Sequence, residues 1–201
     1  MQKKYEKQIR LLLKKQGTVR SQDFSEHDIP RVILSRMVKR GEVERVERGL
    51  YRSPNTQMSE KETLVSVALK VPRAVFCLLT ALQFYELTTQ LPRQVWIAMP
   101  HGSRKPAMDY PPLQMIQLTG KTYSEGINTV VCDQVPIRIY NPAKTVVDCF
   151  KFRNKIGLDV ALEVLKDALY QKKVTSDELF YFAKIERVVK IIMPYMEAMA
   201  L

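Results

Sequence analysis

The chain has 201 residues, 46% of them hydrophobic, which supplies a packed core and excludes a globally disordered polymer. Its net charge of +11 favours a polyanionic partner, nucleic acid before membrane. Cys77, Cys132 and Cys149 are odd in number, far apart and set in apolar contexts, and the only histidines are His27 and His101, so neither a disulfide framework nor a zinc site is expected.

The start, MQKKYEKQIR, carries no apolar signal segment, and the longest apolar run, Ala74–Leu82, is too short to span a bilayer. A soluble cytoplasmic protein without cofactor is expected. Residues 5–15 place Ile9, Leu12 and Leu13 at helical spacing, with Tyr5 one turn earlier, and Gly17 ends this helix. Thr18–Arg20 forms a short extended segment. Ser21 suits the N-cap of a short second helix over Gln22–Ser25, with Phe24 inward. His27–Asp28 is the turn, with Asp28 expected to cap the third helix and Pro30 tolerated in its first turn.

The third helix is expected from about Ile29 to Arg40, with Ile33, Leu34, Met37 and Val38 inward. Arg31, Val32, Ser35, Arg36 and Lys39 face outward, a set suited to a major groove. Arg can donate two bonds to guanine, Ser bonds either partner, and Val can touch a thymine methyl. Gly41 stops the helix. Glu42–Val46 and Leu50–Ser53 then give two strands of a hairpin, with Gly49 supplying a positive φ in the turn. Arg45, Arg48 and Arg52 decorate this wing, where arginines commonly meet phosphates or the minor groove. Glu42, Glu44 and Glu47 alternate with them, so part of the wing must look away from DNA. Arg20 and Ser21, ahead of the second helix, complete the DNA-facing set. Helix, turn, basic helix and hairpin together make a winged helix-turn-helix. Residues 1–54 hold fourteen Lys and Arg against seven Asp and Glu, so most of the excess charge sits on this segment.

The run G-E-V-x-R-V-x-R-G-L-Y at the end of this segment resembles the N-terminal domain of the AbiEi antitoxins of type IV toxin–antitoxin and abortive-infection systems. In that family a winged helix ends in an "rv-x-rG-[lv]-Y" strand. Further on, Leu79–Leu87 is similar to the family's "AL-x-hygL" helix. Val135–Cys149 is similar to its "v-r-v-x-s/n-P-x-k/r-T-[lv]-v-D-c" motif. The resemblance runs over residues 5–170. It implies a phage-defence antitoxin that binds inverted repeats in its own promoter and represses the operon. It also implies a second domain that neutralises a nucleotidyltransferase toxin without needing to contact it.

The second domain is expected over residues 59–201, after a polar linker at 54–58, with 1–54 as the DNA-binding domain. Ser59 and Glu62 form a capping box for a helix to about Leu69, with Leu64, Val65 and Ala68 inward and Pro72 as its breaker. Residues 74–87 suggest one apolar helix. Gln94–Met99, Leu113–Leu118, Asn128–Cys132 and Val135–Tyr140 suggest strands, the first two joined by the basic, Pro-rich loop 100–112. Asn141 caps a helix with Pro142 at its first position and Ala143, Val146, Val147 and Phe150 as its stripe. Leu158–Tyr170 is helical, with Ala161, Leu162, Leu165 and Leu169 on one face. Thr175 with Glu178 boxes a helix to about Lys184, and a last helix over 187–199 meets Pro194. The expected class is therefore α+β: a winged helix-turn-helix, then a larger mixed α/β domain with a small sheet and C-terminal helices.

Enzymatic signatures are missing. Gly102-Ser103 after a strand hints at a nucleotidyltransferase, but such metal chemistry needs paired acids, and Asp109, Glu125 and Asp133 never form D-x-D or D-x-E. Asp148, the one acid in an apolar helix, suggests a structural pairing with a Lys or Arg. Arg104, Lys105, Lys121 and Arg138 are candidates for an antitoxic face competing for a shared nucleic-acid target. The alternative is a stand-alone DNA-binding regulator whose second domain senses a ligand or dimerises. An RNA-gripping module ranks below both, because the aromatics are not spaced as a stacking platform.

Overall fold

The computed structural model describes residues 2–54 and 61–199. The chain divides into two compact units, residues 1–72 with 131–137, and residues 73–130 with 138–201.

In the first unit, α1 (Gln2–Gln16) buries Ile9 and Leu13. It stops at Gly17, whose φ of 67° lets its N–H reach back to Leu13 O at 2.9 Å. Then follow β1 (Thr18–Arg20), α2 (Ser21–Glu26), α3 (Arg31–Lys39), β2 (Glu44–Glu47), β3 (Leu50–Arg52) and α4 (Glu62–Lys70). The strands form an antiparallel sheet in the order β1-β3-β2, with a register irregularity between Arg45 and Glu47. Ile9, Leu13, Val19, Phe24, Ile29, Ile33, Leu34, Met37 and Val43 make the core. This is a winged helix-turn-helix.

Two details of the turn depart from the sequence expectation. Asp28 does not cap α3. It takes a left-handed φ of 55° and ends α2, with Ile29 N–H reaching Phe24 O at 3.0 Å and Asp28 N–H reaching Ser25 O at 3.0 Å. That is the bond pattern of a helix-ending Schellman motif, with Asp in the place usually taken by Gly. Ile29 is buried beneath it, and Pro30 precedes α3. Ser21 is not the N-cap of α2 either. Arg20 holds that position, its backbone N–H donating to Asp23 Oδ2 at 2.9 Å. After α3, Gly41 at φ 72° repeats the Schellman pattern, with Glu42 N–H on Met37 O. In α4 the fully buried positions are Val65 and Val67, whereas Leu64 and Ala68 are half-buried. The Ser59 capping box lies outside the described residues.

A five-stranded mixed sheet, order β6-β5-β4-β8-β7, with the tip of its last hairpin, residues 131–137, counted in the first unit, runs through the second unit. Its elements are β4 (Val75–Phe76), α5 (Leu78–Phe84), β5 (Val95–Pro100), β6 (Leu113–Leu118), α6 (Lys121–Ser124), β7 (Ile127–Cys132), β8 (Val135–Tyr140), α7 (Pro142–Lys151), α8 (Arg153–Ile156), α9 (Leu158–Tyr170), α10 (Ser176–Glu186) and α11 (Val189–Met199). Residues 74–87 are not one helix. Val75–Phe76 is the central strand, antiparallel to β5 and parallel to β8, and the helix starts only at Leu78. A short continuous apolar run fits a strand buried on both faces as well as it fits a helix, and the β-branched and aromatic pair decides for the strand. β5 and β6 are parallel, and residues 101–112 supply the long connection that parallel neighbours require. β7 turns into β8 over Asp133 and Gln134, both at positive φ, as a twisted two-residue hairpin turn demands.

α7 is the axis of this unit. Asn141 caps it, its side chain accepting from Lys144 N–H at 2.8 Å, and Pro142 opens it. All residues from Ala143 to Phe150 are buried, so the helix is covered on every side rather than along one stripe. It packs on α5, α9, α10 and α11. The Thr175–Glu178 capping box forms at the start of α10. In α9 the buried face is Val160, Ala161, Val164, Leu165 and Ala168, with Leu162 and Leu169 at its margin. α11 continues through Pro194. The three cysteines are free and buried.

Candidate nucleic-acid interface

The outward face of α3 carries Arg31, Val32, Ser35, Arg36 and Lys39, all exposed, while Ile33, Leu34 and Met37 face the core. Val32 is 55% exposed, a large fraction for a β-branched apolar side chain on an otherwise amphipathic helix.

The acids of this unit sort its cations into two classes. Glu42 binds Arg10 at 2.7 Å and Arg40 at 2.9 Å, and Glu6 binds Arg40 at 2.7 Å, so both arginines tie α1 to the end of α3. Arg40 consequently holds the Glu6 carboxyl below the usual carboxylate range. Asp23 takes Arg20 at 2.8 Å and raises the guanidinium above its ordinary value. Glu44 takes Arg52 at 2.8 Å, Glu62 also pairs with Arg52, and Glu47 takes Lys70 at 2.7 Å. Six acids are thus consumed by cations of the scaffold. Among the described residues, the side chains of Arg31, Ser35, Lys39 and Arg48 have no hydrogen bond or ion pair. Arg36 reaches Gln2 only at 3.5 Å, and Arg45 reaches the Glu47 carbonyl only at 3.4 Å, both at the weak limit of a hydrogen bond.

Arg52 is therefore not a wing contact for DNA. Its side chain is 11% exposed and closes the wing onto α4. Ser21 sits against the wing turn: its N–H donates to Gly49 O at 2.8 Å, and a Cβ on Gly49 would stand 3.4 Å from Ser21 Oγ. Gly49 has a φ of 85°, the conformation the turn requires. Arg20 and Ser21 are thus brought beside Arg48, although the Arg20 guanidinium already holds Asp23.

Residues 6–54 match the model of a family described as "Transcriptional regulator, AbiEi antitoxin". The match spans the winged helix and ends at Pro54, well short of half the chain. No curated protein matched the chain. The likenesses at 79–87 and 135–149 accordingly stand as expectations from motif alone.

The second unit separates the four bases read as an antitoxic face. Arg104 and Lys105 are exposed on the loop after β5, and Lys121 is exposed at the start of α6 after the neighbouring β6. Arg138 on β8 is half-buried. It donates to the Arg73 carbonyl at 3.2 Å and to Tyr123 Oη at 3.3 Å, and lies 5.8 Å from the centre of the Tyr123 ring. Its guanidinium is used within the unit. Gly102-Ser103 is held by Gln117, which accepts from Gly102 N–H and donates to Ser103 O.

Asp148 has the structural partner expected of it. Lys144 Nζ is 2.5 Å from Asp148 Oδ1 and 2.6 Å from Glu186 Oε1, with all three side chains fully buried. Lys151 pairs with the other oxygen of Glu186. Lys144 also lies 4.5 Å from the centre of the Tyr140 ring. Burial pushes the Asp148 carboxyl up to about 6, against the pull of Lys144 and aided by the like charge of Glu186. Burial opposes the Lys144 charge, but Asp148 and Glu186 together hold the ammonium above its ordinary value. The sequence could not show Glu186 as a partner, because it comes from another helix, thirty-five residues beyond Lys151. Among the described residues, no group of three or more His, Cys, Asp and Glu side chains is placed to hold a metal ion. No described helix is long and apolar enough to cross a membrane.

Proposed function

We propose that the chain is a DNA-binding regulator that recognises inverted repeats in its own promoter and represses that operon. α3 enters the major groove, and Arg45 and Arg48 of the wing hold the flanking backbone or minor groove. The observation that supports this is the sorting of charge: scaffold arginines are neutralised by carboxylates, while Arg31, Arg36, Lys39, Arg45 and Arg48 keep theirs for an external anion. Arg31 and Arg36 are assigned to base edges, with Ser35 and Val32 between them, and Lys39 to phosphate. Arg20 and Ser21 flank the wing turn as backbone contacts, Arg20 sharing its charge with Asp23.

In the same reading the protein is an antitoxin of a type IV, abortive-infection system. The matched family's description supports this role, and the antitoxic activity is assigned to residues 59–201. A nucleotidyltransferase toxin is the functional partner and need not be touched. Arg104, Lys105 and Lys121 are the exposed bases available for such antagonism, and Arg138 supports them from within. Gel shifts with the chain's own promoter, alongside growth rescue on co-expression with an adjacent nucleotidyltransferase gene, test the two halves separately. Absence of a shift removes the repressor half, and absence of rescue removes the antitoxin half.

A further inference from the structure

One end of the second unit holds a cleft of about 520 Å³. It is lined by Thr119, Lys121, Thr122, Lys151, Lys184, Ile185, Glu186 and Arg187. The volume lies within the roughly 300–1,000 Å³ common for small-ligand sites. Three elements far apart in sequence build it: the turn from β6 into α6, the last residue of α7 and the end of α10.

Its chemistry is one-sided. Four cations face one carboxylate, and that carboxylate is already held by Lys144 at 2.6 Å and by Lys151. The C-terminal ends of α7 and α10 set no more than about half a negative charge each against this excess. Lys121, Lys184 and Arg187 are exposed, so their charges are free to meet a ligand, and the Lys184 ammonium is steered by the Phe180 ring at 4.1 Å. Thr119 and Thr122 add hydroxyl groups on the same wall. No aromatic ring is among the described lining residues, and Ile185 is the single apolar one, so nothing there stacks on a base or grips a hydrocarbon.

We propose that this cleft binds a small oligophosphate, either inorganic pyrophosphate or the phosphate chain of a nucleoside di- or triphosphate. Lys121, Lys184 and Arg187 meet the phosphate oxygens, and the Thr119 hydroxyl donates from the side. Lys151 is half-buried and spans from the cleft to Glu186, so a bound anion competes with Glu186 for it. The ligand is thereby coupled to the buried Lys144–Asp148 pair at the centre of the unit. A concave site for a multiply charged group differs from a nucleic-acid track, where single phosphates are spread along a surface. The inference does not depend on the DNA-binding reading of the first unit.

The test is calorimetric titration of the full chain with pyrophosphate, ATP, adenosine and a short single-stranded oligonucleotide. We expect pyrophosphate and ATP to bind and adenosine not to bind. Binding of ATP but not pyrophosphate assigns the ligand to nucleotides; binding of both keeps the oligophosphate itself as the recognised group. Lys121→Glu, Lys184→Glu and Arg187→Glu should each weaken binding by roughly tenfold. These residues are exposed, and unchanged thermal unfolding in each variant shows that the fold is kept. Binding of the oligonucleotide alone, absence of any binding at millimolar pyrophosphate, or unchanged affinity in all three variants would overturn the proposal.

Discussion

Arg52 Nε lies 2.8 Å from Glu44 Oε2 across the wing, and the same guanidinium meets Glu62 at the start of α4. One arginine thus fixes the hairpin to the helix that follows it. Lysine cannot reproduce this, since its ammonium is a single point rather than a planar fork. Glu44 is half-exposed, so solvent screens its share of the interaction. We expect Arg52→Met to lower the free energy of unfolding by about 1–3 kcal/mol, and Arg52→Lys to recover only part of it. Urea unfolding measures both. Operator affinity of folded Arg52→Lys should match that of the parent, and a midpoint unaffected by Arg52→Met would contradict the assignment.

Lys144 is the only cation touching Asp148 among the contacts of the buried cluster, and it shares itself with Glu186. Removing it leaves the Asp148 carboxylate buried without a counter-charge, while Glu186 keeps Lys151. Lys144→Met should therefore cost about 3–5 kcal/mol. The double variant Lys144→Met with Asp148→Leu keeps the Lys151–Glu186 pair and removes the orphaned acid, so it should be more stable than the single one. Chemical denaturation of parent, single and double variants decides this. A double variant less stable than Lys144→Met alone would show that loss of Lys144 does not leave Asp148 as an unfavourable buried charge.

Asp148 also gives a pH signature. Its carboxyl sits at about 6 in the folded chain against an ordinary 3.8, burial being the main cause. The folded state therefore binds the proton more tightly than the unfolded one. This group's contribution to stability is greatest below the ordinary value, falls as pH rises from about 4 to 6, and is flat above. Glu6 and Glu44, whose carboxyls are lowered by Arg40 and Arg52, act with the opposite sign and lose stability as pH falls. A site-resolved carboxyl titration by NMR separates them. We expect an Asp148 midpoint near 6, and a midpoint below the ordinary 3.8 would refute the reading.

Lys172 ends α9 at a φ of 54°, with Lys173 N–H on Ala168 O, and Arg187 ends α10 in the same way at 57°. With only seven glycines, the chain places other residues where left-handed backbone is needed. Lys172 is exposed, so Lys172→Gly changes little except backbone strain. Relief of that strain exceeds the entropy glycine loses on folding, and we expect a gain of about 0.5–1 kcal/mol in thermal unfolding. A loss would show that Lys172 has a role beyond capping.

Much of this was legible in the sequence because its signals are local. The Asn141–Pro142 start, the Thr175–Glu178 box, the Gly41 stop and the four longer strands all follow from neighbours within a few residues. The wing was readable for the same reason. What escaped depended on distant partners. Val75–Phe76 becomes a strand because β5 and β8 flank it, and Arg52 becomes structural because Glu62 closes on it. Asp28 resembled a cap for α3 because it precedes it, yet its left-handed conformation serves α2. In the second unit, Lys121, Lys151, Lys184 and Arg187 meet at one cleft, although nothing in their spacing groups them.

The division of cations into scaffold and interface is the claim on which the DNA-binding reading rests, and paired charge removal tests it. Fluorescence anisotropy with a promoter inverted repeat, at one fixed salt concentration, would compare Arg31→Ala/Arg36→Ala with Arg10→Ala/Arg40→Ala. Both variants lose the same charge from the same unit. We expect the first to weaken binding by about 1–3 kcal/mol per base contact, roughly five- to 150-fold, and to relax sequence preference. The second should bind within about threefold of the parent while folded, because Arg10 and Arg40 already hold Glu42 and Glu6. Equal losses in the two variants would contradict the division.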